Sequence, residues 1–217
     1  MDVLARAECR YYTMLVRRLP WGIFLPRLNR GGRRWSARLT QPVGRDEAVR
    51  ILGVDPGSRV TGFAVIDWSE GQARYVVSGA IRTSGAEFPP RLRQIFEGVL
   101  EVMREYAPRE VAIERVFMHR NADSALKLGQ ARGAALCAAF ASDPMVFEYA
   151  PREVKQAVVG RGGAAKEQVQ LMVRQLLRLE GDIGADAADA LGIALCHAYS
   201  RQMREIAGTA MARDEGQ

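Results

Sequence analysis

Four acidic residues stand in apolar surroundings where a carboxylate is costly unless something compensates it. Asp55 closes the run Ile51–Val54 in ILGVDPGSRVTG, Glu114 closes EVAIE, and Asp186 and Asp189 lie three apart in ADAADALGIAL. Each has a bland reading. An Asp in a turn is most often a turn former, and for Asp55 taken alone that reading leads. Acids at a helix start complement its positive end, which accounts for one of Asp186 and Asp189 better than for both. On a helix these two share a face within the first turn, among Ala185, Ala187, Ala188 and Ala190, which mark a tightly packed surface. Four carboxylates brought together without cations repel and raise one another's pKa, so such a cluster makes sense chiefly as a metal site. Carboxylate ligands, in a chain with three Cys and two His, suit Mg2+ or Mn2+ rather than Zn2+. Two such ions roughly 4 Å apart activate a water and stabilise the leaving oxygen in an in-line attack at phosphorus. The chemistry expected is phosphodiester hydrolysis.

The lysines fit that expectation. The chain has 28 Arg and only three Lys, at 127, 155 and 166, and Lys155 and Lys166 flank the glycine-rich loop GRGGAA at 160–165. A compact ammonium beside a scissile phosphate is one role for them, and an ordinary solvated lysine is the other.

The elements that must position these groups follow from periodicity. The apolar run Ile51–Val54, stopped by Asp-Pro-Gly, reads as a buried strand ending at Asp55; Val60–Asp67 returns as a second, with Gly57 and Gly62 relaxing the backbone, and Arg74–Thr83 is a third. Apolar residues at three- and four-residue steps predict a helix over Arg91–Tyr106. A short buried strand, Glu110–Glu114, is reached by crossover and should lie parallel to the first. Then come a helix over Asn121–Ser142, a fifth strand at Pro144–Glu148, and helices at Arg152–Val159, Lys166–Leu179 and Asp186–Met203. Ala125, Gly129, Gly133 and Cys137, spaced by four, make a small-residue stripe on the second of the helices, open to two readings, internal packing or a subunit contact. This order predicts an α/β domain with one mixed five-stranded sheet flanked by helices. Asp55 and Glu114 should then meet at the rim where open α/β sheets bind ligands.

Composition bounds the class. With 217 residues, 48% hydrophobic and 26% charged, the chain has enough material for one good core. The net charge of +6 does not by itself point to nucleic acid, because residues 1–50 hold eleven Arg against four acids while residues 51–217 hold 20 basic and 21 acidic residues. Residues 1–48 are Arg-rich and unpatterned, with no apolar run long enough for a signal peptide or a membrane span. They read as a disordered extension, as a basic arm gripping phosphates, or as the product of an upstream start assignment, the last preferred because the folded unit begins naturally near Val49. A nuclease domain over 49–205 and a tail over 206–217 complete the division. Three widely separated Cys indicate neither disulfides nor a thiolate zinc site, and a reducing cytoplasm is the default. Cys137 and Cys196, among Ala and Leu, are expected to be buried; His119 and His197 are expected to be surface and helix-packing residues rather than ligands.

The segments ILGVDPGSRVTG, AIERVFMHRNADSALKLGQARG, VFEYAPREVKQAVVGRGGAAKEQV and ADAADALGIAL, in this order and spacing, resemble the RuvC family of Holliday-junction resolvases over about Arg50 to Tyr199. Residues 1–48 have no counterpart in it. The resemblance implies an RNase H-like fold and a homodimer. It also implies cutting of two like-polarity strands at a four-way DNA junction, dependent on Mg2+, two ions per subunit on the chemistry above, with Mn2+ as a substitute. A branch-migration motor of the RuvA–RuvB type is the partner implied. Asp55, Glu114, Asp186 and Asp189 match the family's catalytic acids, and Lys155 and Lys166 its basic residues near the scissile phosphate. Phe117 matches an aromatic that reaches into the junction centre, and Met118, Arg120 and Arg161 are the further DNA contacts expected; a buried Phe ending a strand is the other reading of Phe117. Two departures are His119-Arg120, where a small residue and Lys are frequent, and Gly192, where Ala is usual. A junction-binding protein without catalysis is the alternative, which the intact set of four acids opposes. An actin-like phosphotransferase, which also opens on Asp-x-Gly, needs a duplicated domain for which this chain is too short.

Overall fold

The computed structural model describes residues 48–116, 121–181 and 183–214, with side chains described to 208. Five strands and five helices follow one another along it, opening on three strands and closing on three helices: β1 (Val49–Asp55), β2 (Val60–Ser69), β3 (Gln72–Arg82), α1 (Phe88–Tyr106), β4 (Glu110–Glu114), α2 (Ala122–Phe140), β5 (Met145–Tyr149), α3 (Pro151–Val159), α4 (Lys166–Leu176) and α5 (Ala185–Asp214). The sheet order is β3-β2-β1-β4-β5. β1 runs antiparallel to β2 and parallel to β4, with Leu52 opposite Val65 and Val111, and β5 is parallel to β4. The expected mixed α/β sheet is present, with Asp55 and Glu114 ending adjacent parallel strands.

Alternation along the strands builds two cores. Leu52, Val54, Phe63 and Val65 face α1 and α2, meeting Ile95, Val99, Ala131 and Ala135. Ile51, Ala64 and Ile66 point the other way, onto Leu191, Ala194 and Leu195 of α5 and Val169 and Val173 of α4. Burial on both faces is why β1 and β4 read as continuous apolar runs.

Several boundaries moved for identifiable reasons. α1 starts at Phe88 because Pro89 and Pro90 sit in its first turn, where a missing N–H costs nothing. β2 and β3 extend to a two-residue hairpin at Glu70 and Gly71, both at positive φ (52° and 75°), the backbone that a tight twisted hairpin needs. α4 stops at Leu176, short of Leu179, since Arg178 turns left-handed at φ 50°. α5 runs on to Asp214, past the expected end at Met203. Cys196 is buried as expected, but Cys137 is exposed. The residues of α2 that enter the core are Ala131, Ala135, Ala138 and Ala139. Gly129 and Gly133 of the small-residue stripe face open space, so the stripe is not an internal packing surface among the described residues.

Gly62 does not act by relaxing a turn. A Cβ there would lie 2.1 Å from the carbonyl oxygen of Asp186, and one on Gly53 would lie 2.2 Å from that of Ala190. These two positions let the backbone of α5 rest directly on β1 and β2. Gly192, on the other side of α5, has room: an added Cβ would sit 3.4–3.9 Å from Val154, Val169 and Val173. Gly53→Ala should therefore destabilise the protein by roughly 2–3 kcal/mol through overpacking, whereas Gly192→Ala should stabilise it by about 1 kcal/mol through helix propensity. Urea unfolding of the two variants checks both signs.

Candidate active site

The rim formed by the C-terminal ends of β1 and β4 and the first turn of α5 gathers the predicted acids. Asp55 and Glu114 share a hydrogen bond, and the charge of Asp189 acts on both. Lys166 Nζ lies 2.5 Å from Asp189 Oδ2. Asp186 stands further out, 36% exposed against 25% for Asp189, with Arg82 Nη2 at 3.7 Å. Among the described residues no three Asp, Glu, His or Cys side chains form a preassembled ligand set. Lys166 offsets Asp189 and Arg82 offsets Asp186, whereas Asp55 and Glu114, hydrogen-bonded to each other, leave an excess of negative charge at the rim.

The surrounding structure pins this arrangement. Arg132 of α2 donates from Nε to the main-chain oxygen of Glu114 at 3.2 Å and pairs with Glu148, which ties down the end of β4. The Arg115 amide donates to Tyr149 O at 2.8 Å, and its guanidinium pairs with Glu153 at 2.7 Å. Glu153 also accepts from the Ala150 amide at 2.5 Å, which caps α3. The glycine-rich loop is held by Gln156, which donates to Gly160 O at 2.7 Å and accepts from the Gly162 amide at 3.0 Å. Gly160, at φ 82°, ends α3, so Lys155 and Lys166 approach from α3 and α4 on either side of a braced loop. Lys155 is near enough for its charge to hold Glu114 down.

Burial first, then the charges of Glu114 and Asp189 and the hydrogen bond to Glu114, push the Asp55 carboxyl up to about 8. Glu114 is also raised, by burial and Asp189, against its hydrogen bond with Asp55 and the two lysines. Lys166 is raised by its hydrogen bond to Asp189. An excess of buried negative charge made of carboxylate oxygens alone has the donor chemistry for a hard divalent cation, so these residues fit the metal site expected from the sequence.

Among the remaining predicted residues, Arg161 lies exposed in the loop before α4, and Phe117, Met118, His119 and Arg120 fall outside the described residues. The sequence reading passed over Arg82, although the pairing of Val60 with Arg82 puts the end of β3 on the same rim. His197 is a helix-packing residue as expected, fully buried, but its partners Glu110 and Tyr149 were not anticipated. A Glu opening an apolar strand and a His inside an apolar helix were the available signal.

A mixed sheet in the order 3-2-1-4-5, covered by helices and carrying carboxylates at the ends of its central parallel strands, defines an RNase H-like nuclease. Residues 51–197 match the family model of the crossover junction endodeoxyribonuclease RuvC. The RuvC of Methylococcus capsulatus is 57% identical over 70% of this chain and 92% of its own length. That of Aeromonas hydrophila is 60% identical over 70% and 88%. The structure of Thermus thermophilus RuvC in complex with Holliday junction substrate superposes with TM-score 0.67 at 39% identity, covering 71% of this chain and 96% of that one. The chain belongs to the RuvC family of crossover junction endodeoxyribonucleases.

The raised Asp55 sets a sign for stability. Its neutral form is favoured by folding, so its contribution is complete below the unfolded carboxylate range near ~4 and is lost as pH rises through about 8. In EDTA, Asp55→Asn should remove that part of the pH dependence and be more stable than wild type at pH 8 by about 1–2 kcal/mol. Divalent cation should restabilise wild type and not the variant. Urea unfolding from pH 5 to 8.5, with and without cation, measures this.

Proposed function

We propose that Asp55, Glu114, Asp186 and Asp189 are the carboxylates through which this enzyme resolves four-way DNA junctions, hydrolysing two symmetrically placed phosphodiester bonds. The observation that carries the reading is the mutual charge coupling of Asp55, Glu114 and Asp189, contributed by three separate elements, with Lys166 against them. A structural ion-pair network would balance its charges, whereas this one buries more acid than base. These acids would hold Mg2+, two ions per subunit, or Mn2+ in its place. When bound, such ions supply Lewis-acid activation of water and charge neutralisation at the leaving oxygen.

The protein's own groups do the rest. Asp55 and Glu114, on the rigid ends of paired strands, fix the inner side of the site, and Asp186 and Asp189 close it from α5. Lys166 exchanges its contact with Asp189 for a phosphate oxygen when DNA enters, and Lys155 approaches the same phosphate from α3. Arg161, on the exposed loop between them, meets the flanking backbone. Phe117, Met118 and Arg120 are the further DNA contacts, with Phe117 stacking at the crossover.

A homodimer gives the two cuts their symmetry, since a two-fold axis in the protein matches the junction's two like strands. The outer face of α2 supports this, with open space at Gly129 and Gly133 and with Leu126 67% and Phe140 57% exposed. The domain division into 1–48, 49–205 and 206–217, a cytoplasmic location and a motor of the RuvA–RuvB type belong to the same reading. No helix among the described residues is long and apolar enough to cross a membrane.

Asp55→Asn and Asp189→Asn should each lower junction cleavage in Mg2+ by at least about 100-fold while leaving junction affinity within about threefold, because phosphate contacts supply most of it. Cleavage and gel-shift assays on one synthetic junction test this, and cutting at the normal rate by either variant would remove the assignment. Deletion of residues 1–48 should leave cleavage unchanged in the same assay.

A further inference from the structure

A polar chain lies buried between α5 and the sheet, running inward from Tyr149, the β5 partner of Glu114. His197 is fully buried, with Nε2 2.6 Å from Glu110 Oε2 and Nδ1 2.7 Å from the Tyr149 hydroxyl oxygen. Glu110 is 2% exposed, and its other oxygen accepts from Arg201 Nη1 at 2.6 Å. Burial pushes Glu110 up, but the hydrogen bond to His197 and the charges of Arg201 and Arg204 outweigh it and keep the carboxyl below its usual range. The Phe147 ring packs on the imidazole at 4.4 Å.

The placement of this chain matches the placement of the acids. On β4, Glu110 and Glu114 are four residues apart on one face, about 13 Å along the strand. On α5, His197 follows Asp189 by eight residues, about 12 Å along the helix. The two elements therefore meet twice at nearly equal separation, once at the rim through the acids and once in the interior through Glu110 and His197. Between those points Ala190 and Ala194 of α5 meet Gly53 and Ala64, while Ile193 and Cys196 pack on Ala112. The small residues set how closely the helix approaches, and the larger apolar side chains beside them, Leu191, Ile193 and Leu195, pack without a directional preference for where the helix sits along its own axis. Directional bonds to a carboxylate and an imidazole, both removed from water, do fix it, because a small slide leaves buried polar atoms unsatisfied.

We propose that Glu110, His197 and Tyr149 are positioning residues that set the axial register of α5 against β4 and thereby the spacing of Asp189 from Glu114. This rests on the reading that those acids act in cleavage. Tyr149 adjoins Glu114 as its backbone partner on β5, but its hydroxyl, like Glu110, bonds to His197, so the three side chains act through the helix.

The test compares Glu110→Gln, Tyr149→Phe and the double variant Glu110→Leu/His197→Leu with wild type and with Asp189→Asn. The double variant exchanges a buried polar pair for an apolar one, a change that restores packing without restoring direction. Thermal unfolding should lie near wild type for the double variant and Tyr149→Phe. Single-turnover cleavage at saturating junction should fall about 10-fold or more, the expected cost of a misplacement near 1 Å. The Mg2+ concentration that half-maximally raises the melting temperature without DNA should increase, and junction affinity in EDTA should be unchanged. If the double variant fails to fold, Glu110→Gln and Tyr149→Phe carry the same readouts. Wild-type cleavage and an unchanged Mg2+ midpoint in the folded variants, with Asp189→Asn inactive, would overturn the positioning role alone. Wild-type cleavage by Asp189→Asn would overturn the reading beneath it.

Discussion

The structure depends on how closely α5 approaches the sheet. Gly53 and Gly62 leave β1 and β2 without side chains at the two points where the carbonyls of Ala190 and Asp186 come down. Any Cβ there would lift the first turns of α5, and with them Asp186 and Asp189. Ala190 and Ala194 complete the contact from the helix side, both fully buried. This is an arrangement of small residues in which backbone meets backbone, so it transmits a change at one glycine directly to the rim.

Once α5 is seated, the electrostatics follow. Three acids from β1, β4 and α5 crowd into a space where burial and mutual repulsion drive Asp55 to about 8, while lysines from α3 and α4 hold part of the excess in check. A protein optimised for stability alone would not keep such a group. The cost is supported elsewhere, by the packed faces of the sheet and by the braces that Arg132 and Glu153 supply to the strand ends. Rigid elements carry the charged groups, which is the condition for a site that holds its geometry while charge changes within it.

Much of the architecture was legible because the local signals agreed. Ile51–Val54 and Val111–Ile113 read as strands buried on both faces, and the crossover through α1 required them to be parallel. The small-residue stripe of α2 was read correctly as a stripe but left open in direction, since spacing by four does not say which way a helix is turned. Ala131, Ala135 and Ala138 make an equally good stripe, and it is theirs that meets the core. Cys137 was misjudged for the same reason.

The sequence by itself determined which residues could do chemistry, the order of strands and helices, and the family, because each depends on residue types and spacings along the chain. Tertiary structure alone decided that Gly53 and Gly62 serve contact rather than turning, that Arg82 faces Asp186, and that Glu110, His197 and Tyr149 form one buried chain. Those depend on distances between elements remote in sequence, and such distances are set only when the two faces of the sheet are packed.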